Sequence, residues 1–150
     1  MRQPSPHDAR VGAGWRVLLA IVGGLDAGTG GWALIDPRGW WDKFPGFGHH
    51  WVSGQGGVFN EHLASDAGAG FLAVGLLLVV GAVIGTPLAM RLAALALLVH
   101  ALPHFIFHVA NSPEHLSGGD KTAGTYGLLG EAVIGLITLL GAQPRRRRTY

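Results

Sequence analysis

The chain has 150 residues, of which 49% are hydrophobic and 13% charged, with a formal net charge of +2; soluble domains carry roughly 25% charged residues, so this composition belongs to the bilayer. Cysteine is absent, which excludes disulfides, thiolate metal sites and thiol catalysis. The pI near 9.5 comes largely from arginines at the two ends, Arg145–Arg148 above all, and because these abut apolar segments they read as topology signals and not as a nucleic-acid surface.

Met1–Ala13 is polar, with Pro4, Pro6, Arg2 and Arg10, and is expected to be a disordered cytoplasmic arm. Trp15–Ile35 is the first spanning candidate, since at about 1.5 Å per residue it covers a hydrocarbon core of roughly 30 Å. A cleaved signal peptide is the competing reading of Val17–Leu25, but Leu25-Asp26-Ala27 is a poor small-x-small cleavage site, so retention is favoured. Gly24 and Gly28 form a small-xxx-small pair suited to tight helix contact. Asp26 falls near mid-membrane, where an ionisable residue is a functional candidate by default.

Asp36–Phe59 reads as a loop rich in Gly, Pro and aromatics, with Trp40, Trp41, Phe44, Phe47, Trp51 and Phe59. Tryptophans at this density beside a span suggest a segment at headgroup level. His49 and His50 have no regular spacing to a second ligand and read as solvated. Asn60 is a candidate N-cap, with Glu61 at the positive end of the following helix dipole. The second span then covers residues 60–85. Thr86-Pro87 is a tight turn with Pro at the first helical position. The third span, 88–110, carries His100, His104 and His108 at four-residue intervals, which places all three on one face. Pro103 lies inside it and cannot donate to the carbonyl of Val99, so a kink is expected there. Asn111–Lys121 is a polar loop with Glu114, His115 and Asp120. The fourth span, 122–141, has Glu131 near its middle, and a basic cytoplasmic tail, 143–150, ends the chain.

The expected architecture is therefore all-α: an integral membrane bundle of four transmembrane helices within residues 14–142. Four spans put both termini on one side, and the terminal arginines, with Arg91 at the short turn, make that side cytoplasmic. The second and third spans are antiparallel neighbours, which sets His62 level with His108 and Asp66 level with His104 near the outer face. Three imidazoles and one carboxylate are a ligand set for zinc or iron. Deeper in, Asp26, His100 and Glu131 all fall roughly 14 Å from the outer ends of their helices, one on each of three helices. They could hydrogen-bond mutually or relay protons. Each group has a structural alternative: interfacial histidines for His104 and His108, a capping cluster for His62 and Asp66, and a polar network holding the bundle for the deep layer.

The Gly-rich first helix with its acidic residue, Phe44-Pro45-Gly46, Asn60-Glu61-His62 through Asp66-Ala67-Gly68, and Pro103-His104 through His108 together resemble small bacterial four-span membrane proteins and, more distantly, the DoxX-like group. The resemblance implies the four-span topology. Some DoxX-like proteins are subunits of quinone-linked oxidoreductases, but with no cysteine and no quinone motif here that activity is not carried over.

The function expected from the sequence is a multi-pass protein of the cell membrane that binds a metal ion in a pocket of His62, Asp66, His104 and His108. One alternative is a redox protein with a haem held by histidines of facing helices and linked to a quinone. Another is a non-enzymatic accessory subunit. The expected partners are the lipid bilayer and either a second copy of the chain or another subunit of a membrane complex.

Overall fold

The computed structural model describes residues 10–111 and 116–143. The arm's residues 1–9, the loop residues 112–115 with Glu114 and His115, and residues 144–150 with Arg145–Arg148 lie outside them. Helix α1 is Ala13–Ile35, α2 is Pro37–Lys43, α3 is Glu61–Ile84, α4 is Pro87–Ala110 and α5 is Gly118–Gly141, with a short 3-10 turn at Ser53–Gln55. The fold is all-α, and α1, α3, α4 and α5 are each long and apolar enough to cross a membrane.

The helix starts follow from short polar side chains. Asn60 Oδ1 accepts from the Leu63 N–H at 3.0 Å, and Thr86 Oγ1 from the Ala89 N–H at 3.3 Å, with Pro87 in the first turn. Such caps satisfy donors that no preceding turn can reach. Ser117 Oγ accepts from the Asp120 N–H at 3.1 Å, so α5 begins at Gly118 and not at the expected Thr122. At the other end of α3, Gly85 takes the left-handed conformation (φ 69°) that closes a helix. Arg16 reaches across from α1 to the last α3 carbonyls, its Nε donating to Ala82 O at 2.7 Å and its Nη2 to Val83 O at 3.1 Å. A cation suits the negative end of the α3 dipole. Beside it the arm is ordered: Val11 is 4% exposed and its N–H donates to Gly85 O at 2.8 Å. The expectation of disorder over residues 1–13 thus fails for the part adjoining α1.

The packing is that of a protein dissolved in lipid. Glycine and alanine dominate the contacts, while large apolar side chains such as Leu25, Val83, Leu88, Val99 and Leu140 point outward. In water that distribution would be unstable, but in hydrocarbon the inside of the bundle has no solvophobic advantage and close backbone approach decides. The closest approach is between α1 and α3. A Cβ on Gly23 would lie 2.7 Å from Gly75 O and from Leu78 Cβ; on Gly30 it would overlap Gly68 O and Leu72 N, and on Gly75 it would overlap Ala27 N. The expected Gly24/Gly28 pair is not the contact: both positions face open space. The seam runs one residue to the side, along Gly23, Ala27 and Gly30. A pattern of small residues four apart fits two adjacent stripes of a glycine-rich helix equally well, and only the partner's shape selects one.

Helix α4 packs on α3, with Gly81 against Ala93, and α5 packs on α4, with Gly135 against Leu98. Among the described residues, α1 and α5 barely touch along their lengths. The bundle is closed at the end bearing Arg16 and Arg91 by a core that includes Leu19, Leu78, Met90 and Leu97, all fully buried. Toward the other end α1 and α5 stay apart. There residues 36–59 are not a flat loop but a folded cover. Phe44 is its centre, with ring centroids 6.4, 5.9 and 6.0 Å from those of Trp32, Trp40 and Trp51. Trp40, 6% exposed, pins the cover to Ala33 and Ala64.

Candidate functional site

A cavity of about 770 Å³ lies beneath this cover, with α1 and α5 both on its wall. Its walls come from every long helix: Asp26 and Thr29 of α1, Ala67 and Phe71 of α3, His104 and His108 of α4, and Leu128 and Glu131 of α5. Trp40, Trp41, Phe44 and Trp51 form the roof. Binding sites for small organic molecules typically have volumes of roughly 300–1,000 Å³, apolar walls and a few convergent polar groups. This cavity has all three features.

The roof is fastened to α5 through Asp120. Its Oδ1 accepts from Trp51 Nε1 at 2.9 Å and lies 2.7 Å from His49 Nδ1, while its Oδ2 accepts from Ser117 Oγ at 2.8 Å. Gly124, one turn further along α5, lies beside the Trp51 ring, where an added Cβ would be in ordinary contact at 3.8 Å. His50 Nδ1 bonds the Asp42 carbonyl, and Arg38 pairs with Asp42 at 2.6 Å. His49 and His50 are exposed, as expected, and each also makes a contact within the cover or to α5. Sequence reasoning missed Asp120 and Trp51. The signal for Asp120 was present in Ser117-Gly-Gly-Asp120, a cap spacing that places a carboxylate at the first turn of α5. Nothing in the sequence indicated that its partner would be Trp51, 69 residues away.

The histidines of α4 share one face, as their spacing requires. Ring centroids are 6.0 Å apart for His100 and His104 and 4.9 Å for His104 and His108. The two Nε2 atoms of His104 and His108 share a hydrogen bond at 3.2 Å, and Gln55 from the cover comes within 3.5 Å of His108 Nδ1. His100 packs edge-on to Phe71 at 4.7 Å and does not line the cavity, although Asp26 and Glu131 do. The deep layer is therefore split. Asp26 and Glu131 both line the cavity, but among the described residues no hydrogen bond joins either to the other or to His100.

His62 and Asp66 do pair, at 3.4 Å, but their side chains are 88% and 63% exposed. The α3 residues that line the cavity are Leu63, Ala64, Ala67 and Phe71. At roughly 100° per residue, His62 and Asp66 fall on the far side of the helix from that stripe. The depth match with His108 and His104 does not bring the four together, because the α1 seam sets the rotation of α3. Among the described residues no three of His, Asp or Glu are placed to hold a metal ion. The two cavity-lining histidines are both on α4, so a haem clamped by histidines of facing helices has no counterpart among the described residues either.

No family model, curated protein or solved structure matches the chain. The cavity's aromatic roof and apolar walls suit a rigid or branched apolar body. Its polar groups include Gln55 of the cover, Thr29 of α1, Asp120, Lys121 and Thr125 of α5, and two pairs: His104–His108 under the cover, and the two carboxyl groups further along α1 and α5. The second pair carries orphaned oxygens, Asp26 Oδ2 and Glu131 Oε2, buried and without a hydrogen-bond partner. A buried polar atom left unpaired costs a few kcal/mol, about 1–3 by mutational measures. That cost is relieved when a ligand supplies the partner.

Proposed function

We propose that this membrane protein binds a lipid-soluble organic molecule in the cavity beneath the aromatic cover. The observation that carries the reading is the cavity of about 770 Å³ with two unpaired buried carboxyl oxygens at its end. The weak contact between α1 and α5 supports entry from the lipid, since the wall there is two unjoined helices. Zinc or iron is not part of the proposal: His104 and His108 are two donors, where a closed structural site uses four. The DoxX-like resemblance rests on its short motifs alone and lends the cavity no activity.

Binding is tested with a neutral probe, a decyl-substituted benzoquinone, titrated into the purified protein in detergent while tryptophan emission is followed. Trp40, Trp41 and Trp51 line the cavity, so saturable one-to-one quenching is the expected result. Ala67→Phe fills the cavity from the α3 wall and is expected to weaken binding about tenfold. Quenching that never saturates, or that Ala67→Phe leaves unchanged, would remove the cavity as the site.

We propose further that both termini are cytoplasmic and that the cover faces the other side of the cell membrane. Arg10, Arg16 and Arg91 at one end support this orientation. Reporters fused after Gly85 and after Tyr150 should both read cytoplasm, and one inserted within Gly54–Gly57 should read the opposite side. The same reading from Gly57 and Gly85 contradicts it.

A further inference from the structure

The acidic end of the cavity narrows the ligand class, given the binding reading above. Asp26 is 4% exposed, lines the cavity, and has no hydrogen-bond partner at Oδ2. Glu131 lines the same end from α5, with Oε2 equally unpaired. The α3 wall of Leu63, Ala64, Ala67 and Phe71 brings no charge. On α4, His104 and His108 are engaged with each other. On α5, Asp120 is tied to Trp51 and His49. Lys121 is the one Lys or Arg among the described lining residues, and it sits about 15 Å along α5 from Glu131 at 1.5 Å per residue.

Two carboxyl groups in an apolar enclosure without a basic partner are short of positive charge. Protons or a bound cation can supply it. A metal ion demands a shell of several oxygen or nitrogen donors, and no group of three is assembled among the described residues. The remaining walls are aromatic, and the faces of Trp and Phe attract cations while covering apolar surface. A neutral quinone could accept from a protonated carboxyl or from the unpaired Trp40 Nε1, but it brings no positive charge to a carboxylate. We infer that the cavity takes an organic cation, a protonated or quaternary centre on an apolar or aromatic body, with Asp26 and Glu131 as its counter-charges.

The test compares two ions of nearly equal size and shape, tetraphenylphosphonium and tetraphenylborate, with the neutral decyl-benzoquinone alongside. Each is titrated into the purified full chain in uncharged detergent, with protein-free micelles subtracted. The cation is expected to bind at least about tenfold more tightly than the anion. Asp26→Asn combined with Glu131→Gln is expected to weaken the cation about tenfold or more, and by more than it weakens the neutral probe, so that the ratio of the two affinities reports the lost charge. If the double variant does not fold, the comparison of the two ions on the unaltered protein decides alone. Equal affinity for cation and anion, or cation binding undiminished in a folded double variant, overturns the inference. If the neutral probe still binds in that case, the proposed cavity function survives it. Failure of all three probes to bind overturns both.

Discussion

Gly75→Leu should prevent α1 and α3 from docking and leave no stable folded protein in detergent, whereas Gly70→Leu, on the same helix, should fold normally. A Cβ at position 75 would overlap Ala27 N and lie 2.6 Å from Gly23 O, while one at position 70 meets nothing within 4 Å. Overpacking among side chains costs about 1–3 kcal/mol because the neighbours can change rotamer. At Gly75 the obstacle is the backbone of α1, which cannot move without separating the pair along its length. On α1 the same contrast separates Gly30→Leu, expected to be as damaging, from Gly24→Leu and Gly28→Leu, expected to be near neutral. Monodispersity on size exclusion and the thermal unfolding midpoint measure both series. Damage from Gly28→Leu equal to that from Gly30→Leu would mean that the seam lies on the other stripe.

That contrast shows where sequence reading stops. The four spans are legible because lipid imposes length and apolarity on each segment separately, and the caps at Asn60 and Thr86 are legible because a cap is a local arrangement. The common face of His100, His104 and His108 follows from helical periodicity alone. What periodicity cannot supply is the rotation of one helix against another. His62 and Asp66 do share a face, but the α1 seam turns that face away from the cavity, and the expected ligand set comes apart for that reason. The same limit explains the shift from Gly24/Gly28 to Gly23/Gly30. Residues 36–59 were unreadable for a different reason. Part of their order is local, the Asp36 cap on the Gly39 N–H and the packing of Phe44 on Trp40 and Trp51, but their tie to α5 runs through Asp120, and no local pattern encodes a partner 69 residues away. Asp26 and Glu131 fall between these cases. Depth along each helix placed them at one level, and the structure sets both on the cavity wall, but that no hydrogen bond joins them follows from how α1 and α5 are spaced, which neither helix encodes alone.

The cover should detach from α5 when Asp120 is replaced by alanine, with the transmembrane bundle left intact. Asp120 is the only α5 side chain among the described residues that holds the cover by hydrogen bonds, through Trp51 Nε1 at 2.9 Å and His49 Nδ1 at 2.7 Å. Ser117 Oγ caps the Asp120 backbone and needs no side chain at 120, so α5 should still begin at Gly118. The bundle core lies at the opposite end, around Leu19, Leu78, Met90 and Leu97, and is untouched by the change. Opening is therefore local, and local opening appears as amide exchange confined to one segment. Amides of Phe44, Trp51 and Gly54, which bond Trp40 O, Phe44 O and His50 O, should exchange about tenfold or more faster in Asp120→Ala, while those of α3 keep their protection. Asp120→Asn keeps an acceptor for Trp51 but loses the charge that attracts His49, and should fall between the two. The neutral probe should leave faster in the alanine variant, because the cover contributes part of the binding surface, while entry from the lipid between α1 and α5 should keep its association rate within about twofold. If exchange in residues 44–54 does not change, Asp120 is not the fastening, and the aromatic packing of Phe44 and Trp40 against Ala33 and Ala64 holds the cover without it.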